Sequence, residues 1–403
     1  MTRMKYGLKI FFIVIAALLL NATLVWAGET EGTVFDVSGS LEVGVFSQTA
    51  NDDFFLLAYL PPGAIPVTVL GNNLSLRTDL QIIPNDQVKA KLRLGYRSDS
   101  SASSPQNETV VLSRGFIDFS PGSVYSLRLG KQRLAWGTGY AWNPTNLLDL
   151  PRNAFTASDD PEGIMAVRND LKLGPVTGQL VVTPGDDWEN SGKAVRLSAS
   201  PGGVDLTLGW VEMAKGGLAA SPHATTFDFA CSLAGVGLHG EAVYQAEGNP
   251  RLDKKDILNY LLGVDYSFPG GFIVALEYYH NDTAFANAAE AQAYIATNFT
   301  PSNEEEVIEV INFLTNLANN GGVTRDHYFL RCSKAFGENT NTELLLVYNA
   351  TDSSYAAQPE LEYTWKQATT LYLKGLVTQG AADSEANLLP IKSRFELGVK
   401  VSF

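Results

Sequence analysis

Histidine and cysteine are scarce in this chain, four and two residues in 403. His223, His239, His280 and His327 lie far apart and form no recognised ligand pair, so no metal, cofactor or enzymatic centre is expected. His280 is the one mild candidate for a general base. Cys231 and Cys332 fall on strands that do not neighbour each other, which argues against a disulfide. Cations are also few, 29 Lys+Arg against 43 Asp+Glu, and an acidic chain of this kind is not a nucleic-acid binder. Long apolar runs are confined to Ile10 through Leu20, and no other segment reads as a membrane-crossing helix.

That one run follows Arg3, Lys5 and Lys9 and leads to Val25-Trp26-Ala27, which reads as a secretory signal peptide over residues 1–27. Residues 28–403 then form a single domain with no globular segment ahead of its first strand. Removing three basic residues from 29 leaves 26 against 43 acids, a formal charge of −17.

The rest of the chain is dominated by period two. At the carboxy end Ile391, Phe395, Leu397, Val399, Val401 and Phe403 share one face, with Lys392, Arg394, Glu396, Lys400 and Ser402 on the other. An alternating strand that ends on an aromatic residue resembles the last strand of bacterial outer-membrane β-barrels. A closed sheet leaves no unpaired edge in a bilayer, which explains why strands of this pattern must form one. The same alternation recurs in eighteen segments beginning near Val34, Asn72, Gln87, Thr109, Val124, Gly163, Val176, Lys193, Gly203, Thr225, Val236, Asp256, Gly271, Asp326, Asn341, Ala356, Thr369 and Ile391. Connections after even-numbered segments are all short, such as Gly174-Pro175 and Ala234-Gly235, while every long one follows an odd segment. The expected fold is an all-β transmembrane antiparallel barrel of eighteen strands, with sixteen as the alternative count, in the bacterial outer membrane with both termini periplasmic.

Alternate residues then face the lumen. The early strands supply Arg77, Lys89, Lys91, Arg93, Arg97, Arg114, Arg128, Arg168 and Arg196, interrupted by Asp79 and Asp118. Strands nine to sixteen supply Asp205, Asp228, Glu241, Asp265, Glu277, Glu343, Glu360 and Glu362. Opposed walls of this kind would set a transverse field across the bore. Lys89, Lys91 and Arg93 on successive inward positions repel one another and call for an anion, from a loop or from a solute.

Two loops are candidate gates. Residues 135–162 carry Trp136, Trp142, Asn143, Pro144, Asp149, Pro151, Asp159, Asp160 and Glu162, a composition suited to a stiff constriction whose acids face the basic wall. Residues 281–325 contain helical patterning: Ser302 and Glu305 form a capping box, Val307, Ile308, Ile311, Leu314 and Leu317 share a face, and 284–296 is rich in alanine. Two amphipathic helices must bury their stripes, which predicts a compact lid in an extracellular loop.

The stretch Leu127-Arg128-Leu129-Gly130-Lys131-Gln132, continuing through Trp136-Gly137 to Trp142-Asn143-Pro144, resembles a segment of proteobacterial porin-superfamily barrels, as does Arg114 to Phe119 with Arg114 where an acid is common. In size and strand number the chain is also similar to eighteen-stranded specific channels. The resemblance implies a monomeric or homotrimeric channel, in contact with outer-membrane lipid and lipopolysaccharide, that passes small hydrophilic, anionic or zwitterionic solutes. Arg77, Lys89, Lys91, Arg93, Arg114, Asp118 and Arg128 are its expected pore lining, and Trp136, Trp142, Asn143 and Asp149 its expected constriction. Export of an anionic polysaccharide beneath a helical lid, or a surface adhesin or scaffold, are the alternatives.

Overall fold

A computed structural model describes residues 33–59, 68–101, 104–150, 154–155, 162–213, 223–246, 256–299, 304–319 and 321–403. The expected signal peptide, Pro151, Asp159, Asp160 and Ser302 lie outside these residues.

Eighteen antiparallel strands run in chain order around one closed sheet: β1 (Val34–Ala50), β2 (Thr68–Asn85), β3 (Val88–Ser101), β4 (Ser104–Phe119), β5 (Tyr125–Gln132), β6 (Ile164–Leu173), β7 (Val176–Thr183), β8 (Gly192–Ala199), β9 (Val204–Glu212), β10 (His223–Leu233), β11 (Val236–Gln245), β12 (Ile257–Ser267), β13 (Phe272–His280), β14 (Asp326–Phe336), β15 (Thr340–Asn349), β16 (Tyr355–Trp365), β17 (Thr369–Gln379) and β18 (Ile391–Ser402). The ring closes where β1 pairs β18, from Ser40 opposite Ser402 up to Ala50 opposite Ile391. The strand count is therefore eighteen and not sixteen.

Apolar side chains on the outside stay exposed, among them Leu258, Leu262, Leu276, Leu373 and Leu397. Cys231 and Cys332 are free thiols, on β10 and β14. The tight turn at Ala234-Gly235 has both residues in the left-handed region, φ 52° and 84°, as a two-residue hairpin between right-twisted strands requires.

β1 to β4 are the long strands, 17, 18, 14 and 16 residues, against the roughly 9–11 that cross a bilayer. β2 begins at Thr68 and β4 at Ser104, several residues ahead of the expected Asn72 and Thr109. The outer ends of β2, β3 and β4 carry Asn72, Ser98, Ser100 and Asn107. Beyond the lipid a strand needs ladder partners but no apolar face, so alternation gives no sign of it.

Two helices lie in the 281–325 connection, α1 (Ala288–Asn298) and α2 (Glu304–Asn319). α1 starts in a capping box: the Asn287 side chain accepts from the Glu290 amide at 2.9 Å, and the Glu290 carboxylate accepts from the Ala286 amide at 2.7 Å. Of the stripe expected on α2, Val307, Leu314 and Leu317 are buried, whereas Ile308 is 49% exposed and Val310 is buried in its place. The buried face is shared by three connections: Phe54 and Leu56 after β1, Phe285, Ala291 and Ile295 with the α2 residues, and Leu388 after β17. These loops form one apolar cap on the rim.

Candidate functional site

The described residues of the connection between β5 and β6, 133–150 and 154–155, fold back along the inner wall. Its first turn packs Leu134 and Trp136 on Ala166, Val181, Ala194 and Val211 of β6 to β9. Further on, Ala141 and Trp142 pack on Leu261, Tyr279, Phe329 and Leu345 of β12 to β15. It reaches β16, where the Gln358 side-chain amide donates to the Phe155 carbonyl at 3.3 Å.

Two wall carboxylates hold this loop. Glu241 on β11 accepts from the amides of Thr138 (2.6 Å), Gly139 (2.8 Å) and Thr145 (3.1 Å), the Thr145 hydroxyl (2.7 Å) and the Asn143 amide (3.1 Å). Glu277 on β13 accepts from the amides of Tyr140 and Ala141, and His239 Nε2 lies 2.9 Å from its Oε1. Both residues are buried. A carboxylate without water needs donors on both oxygens, and a loop whose amides point outward from a tight bend supplies them. Gly137 is required there: its φ is +86°, and a Cβ would sit 2.6 Å from both Glu241 oxygens.

The expected constriction residues are therefore anchors. Trp136 is buried, donating from its indole to Gln179 at 2.7 Å, with the Arg196 guanidinium 4.7 Å over its ring. Trp142 stacks on Tyr279 at 5.1 Å and meets His327 and Phe329 at its edges. Asn143 joins Gly139 to Glu241. Asp149 accepts from the Leu134 amide at 2.8 Å and pairs with Arg133 at 3.2 Å, within the loop's own base.

Part of the expected acidic wall is likewise engaged. Besides Glu241 and Glu277, Asp228 pairs with Arg196 at 2.5 Å and Glu343 with Arg331 at 2.6 Å.

The basic wall is different. Asp79 on β2 gathers Arg93 (2.7 Å), Lys91 (3.5 Å) and Arg77 (3.8 Å), whose side chains stay 12%, 23% and 39% exposed. Arg114 on β4 stands directly across the ladder from Arg93. Asp118 pairs Arg128 at 2.5 and 3.0 Å, and the guanidinium lies 4.1 Å over Phe116. Lys89 is opposite Asp118 in register. Asp79, on the neighbouring strand, supplies an anion to the cationic ladder.

The resemblance segment acquires a physical reading here. At Gly130, with φ +120°, a Cβ would strike the Gly115 carbonyl, and the Gln132 amide donates to the Ala166 carbonyl at 2.9 Å, so β5 lies flush and launches the loop inward. Comparison with known proteins is informative only at the level of structure. No family model and no curated protein matches the sequence. OccK5 (OpdH) of Pseudomonas aeruginosa superposes with a TM-score of 0.53 at 10% identity, over 91% of this chain and 98% of that one. The fold is that of a porin-like outer-membrane barrel. A triple mutant of the Rhodopseudomonas blastica porin aligns with a TM-score of 0.45 at 12% identity, over 92% of this chain and all of its own. Within the porin-like barrel, sequence pattern did not mark Glu241 and Glu277 as anchors of the loop. Their partners are backbone amides, which carry no residue identity.

Proposed function

We propose that this chain is an outer-membrane channel for passive diffusion of small hydrophilic solutes, anionic or zwitterionic. The observation that carries the reading is the cluster of Arg77, Lys91 and Arg93 around Asp79, with Arg114 across the ladder from Arg93. It stands on β2 to β4, with the Arg77 and Lys91 side chains 39% and 23% exposed. Partly desolvated cations of one sign raise the local concentration of anions and speed their entry. The loop bound to Glu241 and Glu277 narrows the bore from the other side.

The test is the reversal potential of the refolded protein in a planar bilayer under a potassium chloride gradient. Anion selectivity is expected, and the double change Lys91→Glu with Arg93→Glu should move it toward cations. Unchanged selectivity in that variant refutes the assignment of these residues to the conducting path.

The apolar cap gives a specific reason to keep a second reading, export of an anionic polysaccharide through a lidded barrel. Deleting residues 284–319 separates the two: a barrel that conducts only after the deletion is lidded, whereas one that conducts with the cap in place is a diffusion channel.

A further inference from the structure

Tyr279, His327 and Asn349 stand side by side across β13, β14 and β15, each buried near the loop end of its strand. Two separate loops meet on this row. One is the inward loop: Trp142 stacks on Tyr279 with ring centroids 5.1 Å apart and meets His327 at 5.9 Å. The other is the exit of α2. At Gly321 the backbone lies so close to Tyr279 that a Cβ would sit 2.6 Å from its ring, and at Gly322 one would strike the His327 imidazole. Both glycines are tied to the apolar cap, since the Gly322 amide donates to the Leu317 carbonyl at 3.2 Å and the Val323 carbonyl accepts from the Phe285 amide at 3.0 Å.

Glu385, in the connection after β17, locks the row to the cap. Its carboxylate accepts from the Val323 amide (2.8 Å), the Thr324 hydroxyl (2.6 Å) and the Asn349 side-chain amide (2.5 Å), and it lies 3.0 Å from His327 Nε2. His327 Nδ1 is buried with no hydrogen-bond partner among the described residues, so Glu385 is what fixes the angle of the ring. A ring turned from that angle meets Trp142 differently. Among the described residues Glu385 makes no hydrogen bond to the inward loop, and the ring partners of Trp142 are Tyr279, His327 and Phe329, all on the wall. Cap and loop therefore touch opposite sides of the same two side chains. Close-packed groups pass on a displacement rather than absorb it.

We propose that cap and inward loop form one coupled gate, in which Tyr279 and His327 transmit the state of the cap: seated, it holds the loop to the wall, and lifted, it releases the loop. The inference deepens the channel reading and rests on it for the loop's place in the bore.

Hydrogen–deuterium exchange of the refolded barrel in detergent tests it, read on the loop peptide over residues 134–147 and on α2 over residues 304–319. Glu385→Gln should speed exchange of the loop, and Trp142→Ala should speed exchange of α2, each by about fivefold or more, the lower end of couplings between distinct sites. In the double variant the two effects on either peptide should fall short of their product, because each change alone already breaks the link. Unchanged exchange in β2 to β4 verifies that a variant is folded. Gly321→Ala approaches the link from an exposed connection's backbone rather than from a packed ring; it pushes the α2 exit off Tyr279 and should likewise speed the loop. Faster exchange confined to the loop in Trp142→Ala, and to the cap in Glu385→Gln and Gly321→Ala, overturns the coupling. Bilayer recordings on the same samples separate the two readings: a barrel that shows the coupling without conducting refutes the channel alone, and one that conducts while the two peptides exchange independently refutes the coupling alone.

Discussion

Replacing Glu241 with glutamine tests whether a wall carboxylate fixes the inward loop. The carboxylate accepts three donors on Oε1 and two on Oε2. Glutamine keeps one oxygen and turns an NH2 toward donors at the other position, so the Thr145 amide and hydroxyl lose their acceptor. Each charge-assisted bond is worth roughly 1.5–3 kcal/mol, and two lost bonds make about 3–6 kcal/mol. At about 1.4 kcal/mol per tenfold change, the loop's open population should rise at least a hundredfold. Hydrogen–deuterium exchange of the peptide over residues 134–147 reads this directly, and single-channel recordings should show higher, noisier conductance. The strands bound their exchange to the whole barrel and should not change. Loop exchange within threefold of the unsubstituted protein would refute the anchoring role.

Asp79→Asn leaves Arg77, Lys91 and Arg93 without their shared anion; selectivity for anions should rise, and thermal stability should fall by about 2–4 kcal/mol. Glu385, in the connection after β17, sets an acid limit for the cap. Burial pushes its carboxyl up, but His327 beside it and hydrogen bonds from Thr324 and Val323 outweigh this and hold it at about 2, below the ordinary 4.5. A depressed carboxyl stabilises the fold above its unfolded value, so the contribution, about 3 kcal/mol at most, should be complete above pH 4.5 and vanish by pH 2. Exchange of α1 and α2 amides across that window, compared with Glu385→Gln, measures it. Leu314→Ala hollows the cap and should cost about 2–4 kcal/mol of local stability, seen as faster exchange in α2 with β1 to β18 unchanged.

What the sequence disclosed follows from which surroundings impose a repeating pattern. Lipid on one face and water on the other impose period two, so all eighteen strands could be read. Where only one constraint acts, as at the outer ends of β2 and β4, the pattern lapsed and the strands were read short. The cap helices were visible as periodicity, but the exchange of Ile308 for Val310 was not, because which residues a helix buries depends on the loops it meets, here through Phe54 and Leu388. The inward loop was recognised by resemblance and composition, whereas its attachment was hidden. Trp136, Trp142 and Asp149 look alike whether they face a bore or a wall, and the amides that hold Glu241 belong to any residue.

The meeting of β1 and β18 bears on how the molecule is made. The Gly39 amide donates to the Phe403 carbonyl at 2.8 Å, the Phe403 amide returns the bond at 3.0 Å, and the Phe403 ring lies over Gly39, where a side chain would collide. One ladder thus joins residues separated by nearly the whole polypeptide, the costliest loop closure available to it. Every other pairing is between neighbours in sequence and can form as the chain emerges. Assembly therefore has a slow last step, during which the two terminal strands offer bare edges to any other chain. Whatever escorts this protein to its membrane must shield those edges until Phe403 reaches Gly39.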